Sequence, residues 1–260
     1  LVILTAMVIL GGIKSIARVT QWLVPIMTLM YLSGALVVLV CFAPQLPHAF
    51  RLIFEGAFSG TAAAGGFAGS TMMMALRYGI ARGLFSNEAG LGSAPMAHCA
   101  ADTDHPVRQG LYGVFEVFVD TMLVCTATAL VILLTDTWNS GLTGAALSVK
   151  SFGTGLPGAA GSVVVTGGLV LFAYSTLLGW SYYGETGIVY LLGAKAAIPY
   201  RVAWLLFVYL GATGSLHVVW DVADTLNGLM AIPNLIGLLA SVPLLLRLQR
   251  EFFGLPPRPK

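Results

Sequence analysis

Several groups of residues in this chain have types and spacing that could do chemistry. The first is GTAAAGGFAGST, residues 60–71, where Gly60, Gly65, Gly66 and Gly69 stand with Thr61, Ser70 and Thr71 in an apolar neighbourhood. Glycine in a helix interior costs roughly 1 kcal/mol relative to alanine, so its concentration here needs a reason. One reason is packing: Gly56 with Gly60, and Gly65 with Gly69, have the small-xxx-small spacing that lets two membrane helices approach closely. The other is a discontinuous helix, with half-helices in RLIFEGAFS and FAGSTMMMALRY. Unwound backbone between them would expose N–H and C=O groups, which persist in a membrane only where they line a cavity or are buried in protein. A half-helix N-terminus suits a carboxylate, and unwound carbonyls suit a cation.

Further polar residues fall inside apolar stretches. Ser175 and Thr176 are adjacent hydroxyls in AYSTLLG; they either contribute oxygens to a cation or bond back to their own helix carbonyls. Glu116 and Asp120 stand four apart, on one face of an α-helix. Acids in a span usually face the protein interior or a water-filled cavity. Asp120, with Thr121 beside it, is therefore a coupling or gating residue or a member of a structural hydrogen-bond network. Asp221, Asp224 and Asn227 recur every three residues and form a polar stripe that lines a path or joins helices. Glu55 is a weaker gating candidate, and Glu185 is expected at a membrane interface. Asn87 and Glu88 sit in GLFSNEAGLGSAP, a glycine-bounded turn suited to inner-gate or helix-docking work. His98 and His105 are expected to be solvated. Cys41, Cys99 and Cys125 have no metal-site or disulfide spacing and read as apolar fillers.

The elements that must position these residues are membrane helices. The 260 residues are 57% hydrophobic and 9% charged, against about 25% charged in a soluble domain. Uncharged runs long enough to span a bilayer, about 20 residues, make this an integral membrane protein. The predicted order is a helix remnant at 1–10, a turn at 11–21, and a span at 22–43 with Pro25 in its first turn. The glycine-rich region at 51–78 and a polar connection at 79–110 follow. Next come a span at 111–135, a loop at 136–162, a span at 163–192, a shorter one at 202–216 and a long helix at 217–246 bent near Pro233. Residues 247–260 are an irregular polar tail. This gives six complete spans and one remnant. The chain begins inside an apolar run and reads as truncated there. Basic residues concentrate at 11–21, 77–110, 193–201 and the tail, and they alternate with poorer loops. That pattern places the C-terminus in the cytoplasm. Several of the five tryptophans lie near span ends, as an interfacial belt predicts.

The runs GAFSGTAAAGGFAGS, RYGIARGLFSNEAGLGSAP, HPVRQGLYGVFEVFVDTMLVCTATALVILL and WDVADTLNGLMAIPNLIGLL resemble the sodium:alanine/glycine symporter family across essentially the whole chain. The resemblance implies an all-α, leucine-transporter-type fold of five plus five helices related by inversion, with the first and sixth core helices broken. In that register 22–43 is the fifth core helix, 51–78 the broken sixth, and the later spans the seventh to tenth. The first repeat is then largely missing, so the chain by itself lacks half of the sites. The implied function is sodium-driven symport of alanine or glycine across the cytoplasmic membrane by a single multi-pass domain. Substrate would lie at Gly60, Thr61, Gly65 and Gly66 and sodium at Ser175 and Thr176. Gating or coupling falls to Glu116, Asp120, Thr121 and Asn227. Sodium is the coupling ion, no other metal or cofactor is expected, and the partners are the amino acid, sodium and lipid, not nucleic acid. Proton coupling on the same fold and a non-functional fragment remain the alternatives. An intramembrane enzyme would need HExxH, GxGD or GxSG, none of which occurs. No filter-like sequence marks a channel.

Overall fold

In a computed structural model of the chain, the described residues are 1–58, 72–213 and 216–256. Among them every regular element is helical. The longer helices are α1 (Val2–Ile9), α2 (Gly12–Cys41), α3 (Leu46–Phe58), α4 (Met72–Ser86) and α5 (Ala94–His98). They are followed by α6 (Pro106–Leu134), α7 (Gly144–Gly155), α8 (Ala160–Leu192), α9 (Ala197–Thr213) and α10 (Leu216–Phe253). Five stretches are long and apolar enough to cross a membrane: Gly12–Cys41, Pro106–Leu134, Gly161–Leu192, Ala194–Thr213 and Val222–Phe253. The sixth expected span, at 51–78, includes residues outside the described ones. The expected single helix after residue 216 is observed, with Pro233 and Pro243 inside it.

Five local expectations are corrected. The expected turn at 11–21 is the start of α2, because Lys14 and Arg18 end an apolar window without ending a helix; lysine and arginine are good helix formers. Pro25 accordingly sits well inside α2 rather than in its first turn. The expected loop at 136–162 contains α7, which the glycine, serine and threonine content obscured. Its buried face carries Ser151 and Phe152, both at 0% exposure. The expected connection at 79–110 contains the end of α4, all of α5 and the first turn of α6, and the expected irregular tail is helical through Phe253.

The described chain forms two compact units. One contains Ile3–Ile80 and Val119–Trp180. Its core joins α2, α6, α7 and α8 through Tyr31, Ala35, Val38, Ala127, Val131, Phe152, Leu156 and Val165. Helices approach closely here because glycine faces bulk. A Cβ on Gly155 would lie 2.8 Å from Val38 Cγ1, and one on Gly34 would lie 2.9 Å from Val164 Cγ1. Polar groups within this core find partners: the Tyr31 and Thr128 hydroxyls are 2.7 Å apart, and those of Thr137 and Ser151 2.5 Å. The second unit contains Ala81–Phe118 and Ser181–Lys260. Its α8–α9 hairpin is tied by Arg201, whose Nε and Nη2 donate to the two Glu185 oxygens at 2.7 and 2.6 Å. Large side chains such as Leu191, Leu192, Phe207 and Leu239 stand outward, as a lipid-facing surface requires.

Candidate functional site

The expected substrate residues Gly60, Thr61, Gly65 and Gly66 lie outside the described residues. On one side of them α3 is described to Phe58, and on the other α4 is described from Met72.

The expected sodium residues are fully placed. Ser175 Oγ and Thr176 Oγ1 both donate to the Phe172 carbonyl, at 2.9 and 3.0 Å, and Ser175 Oγ lies 3.8 Å from Met27 Sδ of α2. The back-bonding reading is thus realised. It does not close the other, since a hydroxyl has one donor and two acceptor lone pairs. With both protons spent on one carbonyl, each oxygen keeps acceptor capacity for a cation. Ser175 is half-buried and Thr176 is exposed.

Asp120 and Thr121 are half-buried in a π-helical segment, Phe118–Cys125, in the middle of α6. Thr126 Oγ1 donates to the Thr121 carbonyl five residues back, at 3.1 Å. The shared face expected for Glu116 and Asp120 assumed α geometry, and the wider turn changes their angular offset. π-helical turns inside α-helices occur frequently at functional sites, and nothing in the side-chain pattern of FVDTMLVC announced this one.

Glu116 is exposed and reaches His98 Nε2 of α5 at 3.4 Å, while Gln109 Nε2 lies 2.8 Å from His98 Nδ1. When the Gln109 amide donates, Nδ1 is the acceptor and Nε2 carries the proton toward Glu116. His98 is therefore part of a network rather than solvated. His105 is also engaged: its Nδ1 accepts from Val107 N as the N-cap of α6, and its ring lies 5.0 Å from that of Phe252.

The turn after α4 is built by left-handed backbone at Glu88 (φ 51°), Gly90 (75°) and Gly92 (82°). Glu88 hydrogen-bonds with Tyr183 of α8. Asn87 Nδ2 donates to the Gly83 carbonyl at 3.0 Å. This supports helix-docking work for the loop. Asn227 is half-buried on α10, and the Asp221 side chain is outside the described residues. Asp224 pairs with Arg82 Nη2 of α4 at 2.6 Å, so this part of the polar stripe joins helices. The Arg82, Glu185–Arg201 and His98–Gln109 pairings escaped sequence reasoning. The available signal was a charge inside an apolar helix, which implies a partner without naming it.

These features define a multi-pass helical membrane protein whose apolar helices carry paired polar side chains, the class to which membrane transporters belong. The Sodium:alanine symporter family matches residues 1–254, and the chain belongs to that family. It is a family of transporters and not of enzymes. The chain is 50% identical over 248 residues to the sodium/alanine symporter AgcS of Methanococcus maripaludis, covering 92% of this chain and 52% of that protein. It is 44% identical over 252 residues to an uncharacterized transporter of Haemophilus influenzae, covering 96% and 55%. It is 40% identical over 234 residues to the probable sodium/glutamine symporter GlnT of Bacillus subtilis, covering 89% and 48%. The chain spans about half the length of the curated relatives it matches.

Proposed function

We propose that the protein carrying this chain is a sodium-coupled symporter of a small neutral amino acid, alanine or glycine, in the cytoplasmic membrane with its C-terminus inside. The observation that carries this reading is the family match over nearly the whole chain, with the sodium/alanine symporter at 50% identity. The leucine-transporter-type five-plus-five fold belongs to the same reading, as one transport domain. The glycine run supplies the substrate end: Gly60, Thr61, Gly65 and Gly66 hold the amino acid, with its carboxylate at a half-helix N-terminus. Small residues leave room for a small side chain. Ser175 and Thr176 supply two sodium oxygens, consistent with protons turned to Phe172 and lone pairs left over. Asp120, Thr121, Glu116 and Asn227 serve coupling or gating.

Uptake of labelled alanine and glycine by the protein at its full genomic length, in proteoliposomes with an imposed sodium or proton gradient, tests this. Sodium-dependent uptake that Thr176→Ala lowers by about tenfold or more, the scale of one lost coordinating interaction of 1.4 kcal/mol, supports the symporter and its ion site. Uptake driven by protons alone moves the coupling to Glu116 or Asp120. Uptake of neither amino acid under either gradient rejects the substrate assignment.

A further inference from the structure

Residues 82–105 and α10 meet at several points within one compact unit. Arg82 Nη2 lies 2.6 Å from Asp224 Oδ2. A Cβ on Gly90 would lie 3.8 Å from Leu235 Cδ2, and one on Gly92 only 2.8 Å from Asn234 Oδ1. The His105 and Phe252 rings are 5.0 Å apart. The outer contacts, at Asp224 and Phe252, bracket those at Asn234 and Leu235, so the segment runs along much of this helix. Asp224 and Phe252 are 28 residues apart, about 42 Å of helix. Gly92 is favoured here because the backbone is left-handed and a Cβ would crowd the Asn234 side chain.

At the α4 end an ion pair joins the helix to α10, and it has the short reach of a charge-assisted bond. Asp224 lies within the apolar stretch Val222–Phe253, where a carboxylate without a counter-charge is costly and usually serves a purpose. Arg82 lies ten residues beyond the first described residue of α4, the helix that leaves the glycine run. We propose that Arg82 and Asp224 are a positioning pair that fixes the C-terminal half of α4 to α10, so that the two helices move together during transport. Neither residue touches substrate in this role; each acts through the placement of α4. The proposal rests on the symport reading above.

The test uses the full-length protein in proteoliposomes. R82D and D224R are each expected to slow initial uptake about tenfold, with the double reversal returning most of the loss, as for residues coupled in one ion-pair network. A second readout needs no transport: the rate at which a thiol reagent labels Leu84→Cys, on the same helix, in a protein whose exposed Cys41, Cys99 and Cys125 are replaced by serine. The neutral pair R82Q/D224N, which leaves no lone charge to impair folding, is expected to speed that labelling and to lower the maximal uptake rate more than the KM. The reversed pair restores both. A reversed pair as slow as the single variants overturns the proposal, and so does a neutral pair with unchanged uptake and labelling. If the unsubstituted protein takes up no amino acid, the symport reading fails; labelling that speeds in R82Q/D224N and recovers in the reversed pair still upholds the pairing, and labelling that does not change overturns it.

Discussion

Single residues in this protein do their work by what they exclude as much as by what they bind. Gly155 is the clearest case, since any Cβ there would meet both Val38 methyl groups at 2.8 and 2.9 Å, where α2 and α7 come together. Gly155→Val should cost about 1–3 kcal/mol, the usual penalty of overpacking. The thermal midpoint of the detergent-solubilised protein will show it. Gly153→Ala is the matched control: its nearest neighbour would be Ser162 Oγ at 3.5 Å, an ordinary contact. Glu185 and Arg201 pose the opposite problem. Their side chains are only 19% and 14% exposed and share two short hydrogen bonds. Removing one partner leaves a desolvated charge, which costs about 3–5 kcal/mol, whereas replacing both with neutral groups of similar size costs far less. Unfolding of Arg201→Gln, Glu185→Gln and the double variant in mixed micelles should show the double closer to the parent than the Arg201→Gln single.

At the scale of elements, how much could be read in advance depended on the kind of signal. Long apolar runs located all five spans, two of them to within about five residues at both ends, because uncharged length is a property of one segment alone. The last helix was placed as one piece by the alternation of basic loops, despite Pro233 and Pro243 inside it. Helix α7 was hidden because its glycines and serines look like a loop unless the partners of Ser151 and Phe152 are known. The ion pairs were illegible for the same reason: Arg82 shows that it needs an acid but does not say that the acid is Asp224. The π-segment at Phe118–Cys125 is a backbone property with no residue pattern of its own. It sets the rotational register of α6 around Asp120 and Thr121, and deleting one residue would turn all that precedes it by about 100°. Deletion of Leu123 should therefore abolish uptake while the protein still reaches the membrane. Leu123→Ala should be tolerated, since that side chain is 42% exposed. Parallel uptake and membrane-quantity measurements separate register from side chain.

At the scale of the whole molecule, a symporter must make ion and substrate binding depend on the same fold, and that dependence has an equilibrium signature. A ligand that binds only the folded state stabilises it by RT ln(1 + [L]/Kd), about 2.7 kcal/mol at one hundred times Kd. If Ser175 and Thr176 contribute sodium oxygens, sodium should raise the unfolding midpoint of the full-length protein and an equal concentration of potassium should not. Thr176→Ala should then lose the rise while keeping the sodium-free midpoint, because Ser175 still donates to the Phe172 carbonyl and the helix there is intact. Alanine or glycine should add further stabilisation that is larger in sodium than in potassium, since coupling between two sites is reciprocal. A midpoint that rises equally in both salts would mean that these hydroxyls only bond back to their helix, and the ion site would have to be sought around Asp120. A rise with sodium and none with either amino acid would keep the ion site and point to a different substrate, for which the relative named as a probable sodium/glutamine symporter gives the next compound to try.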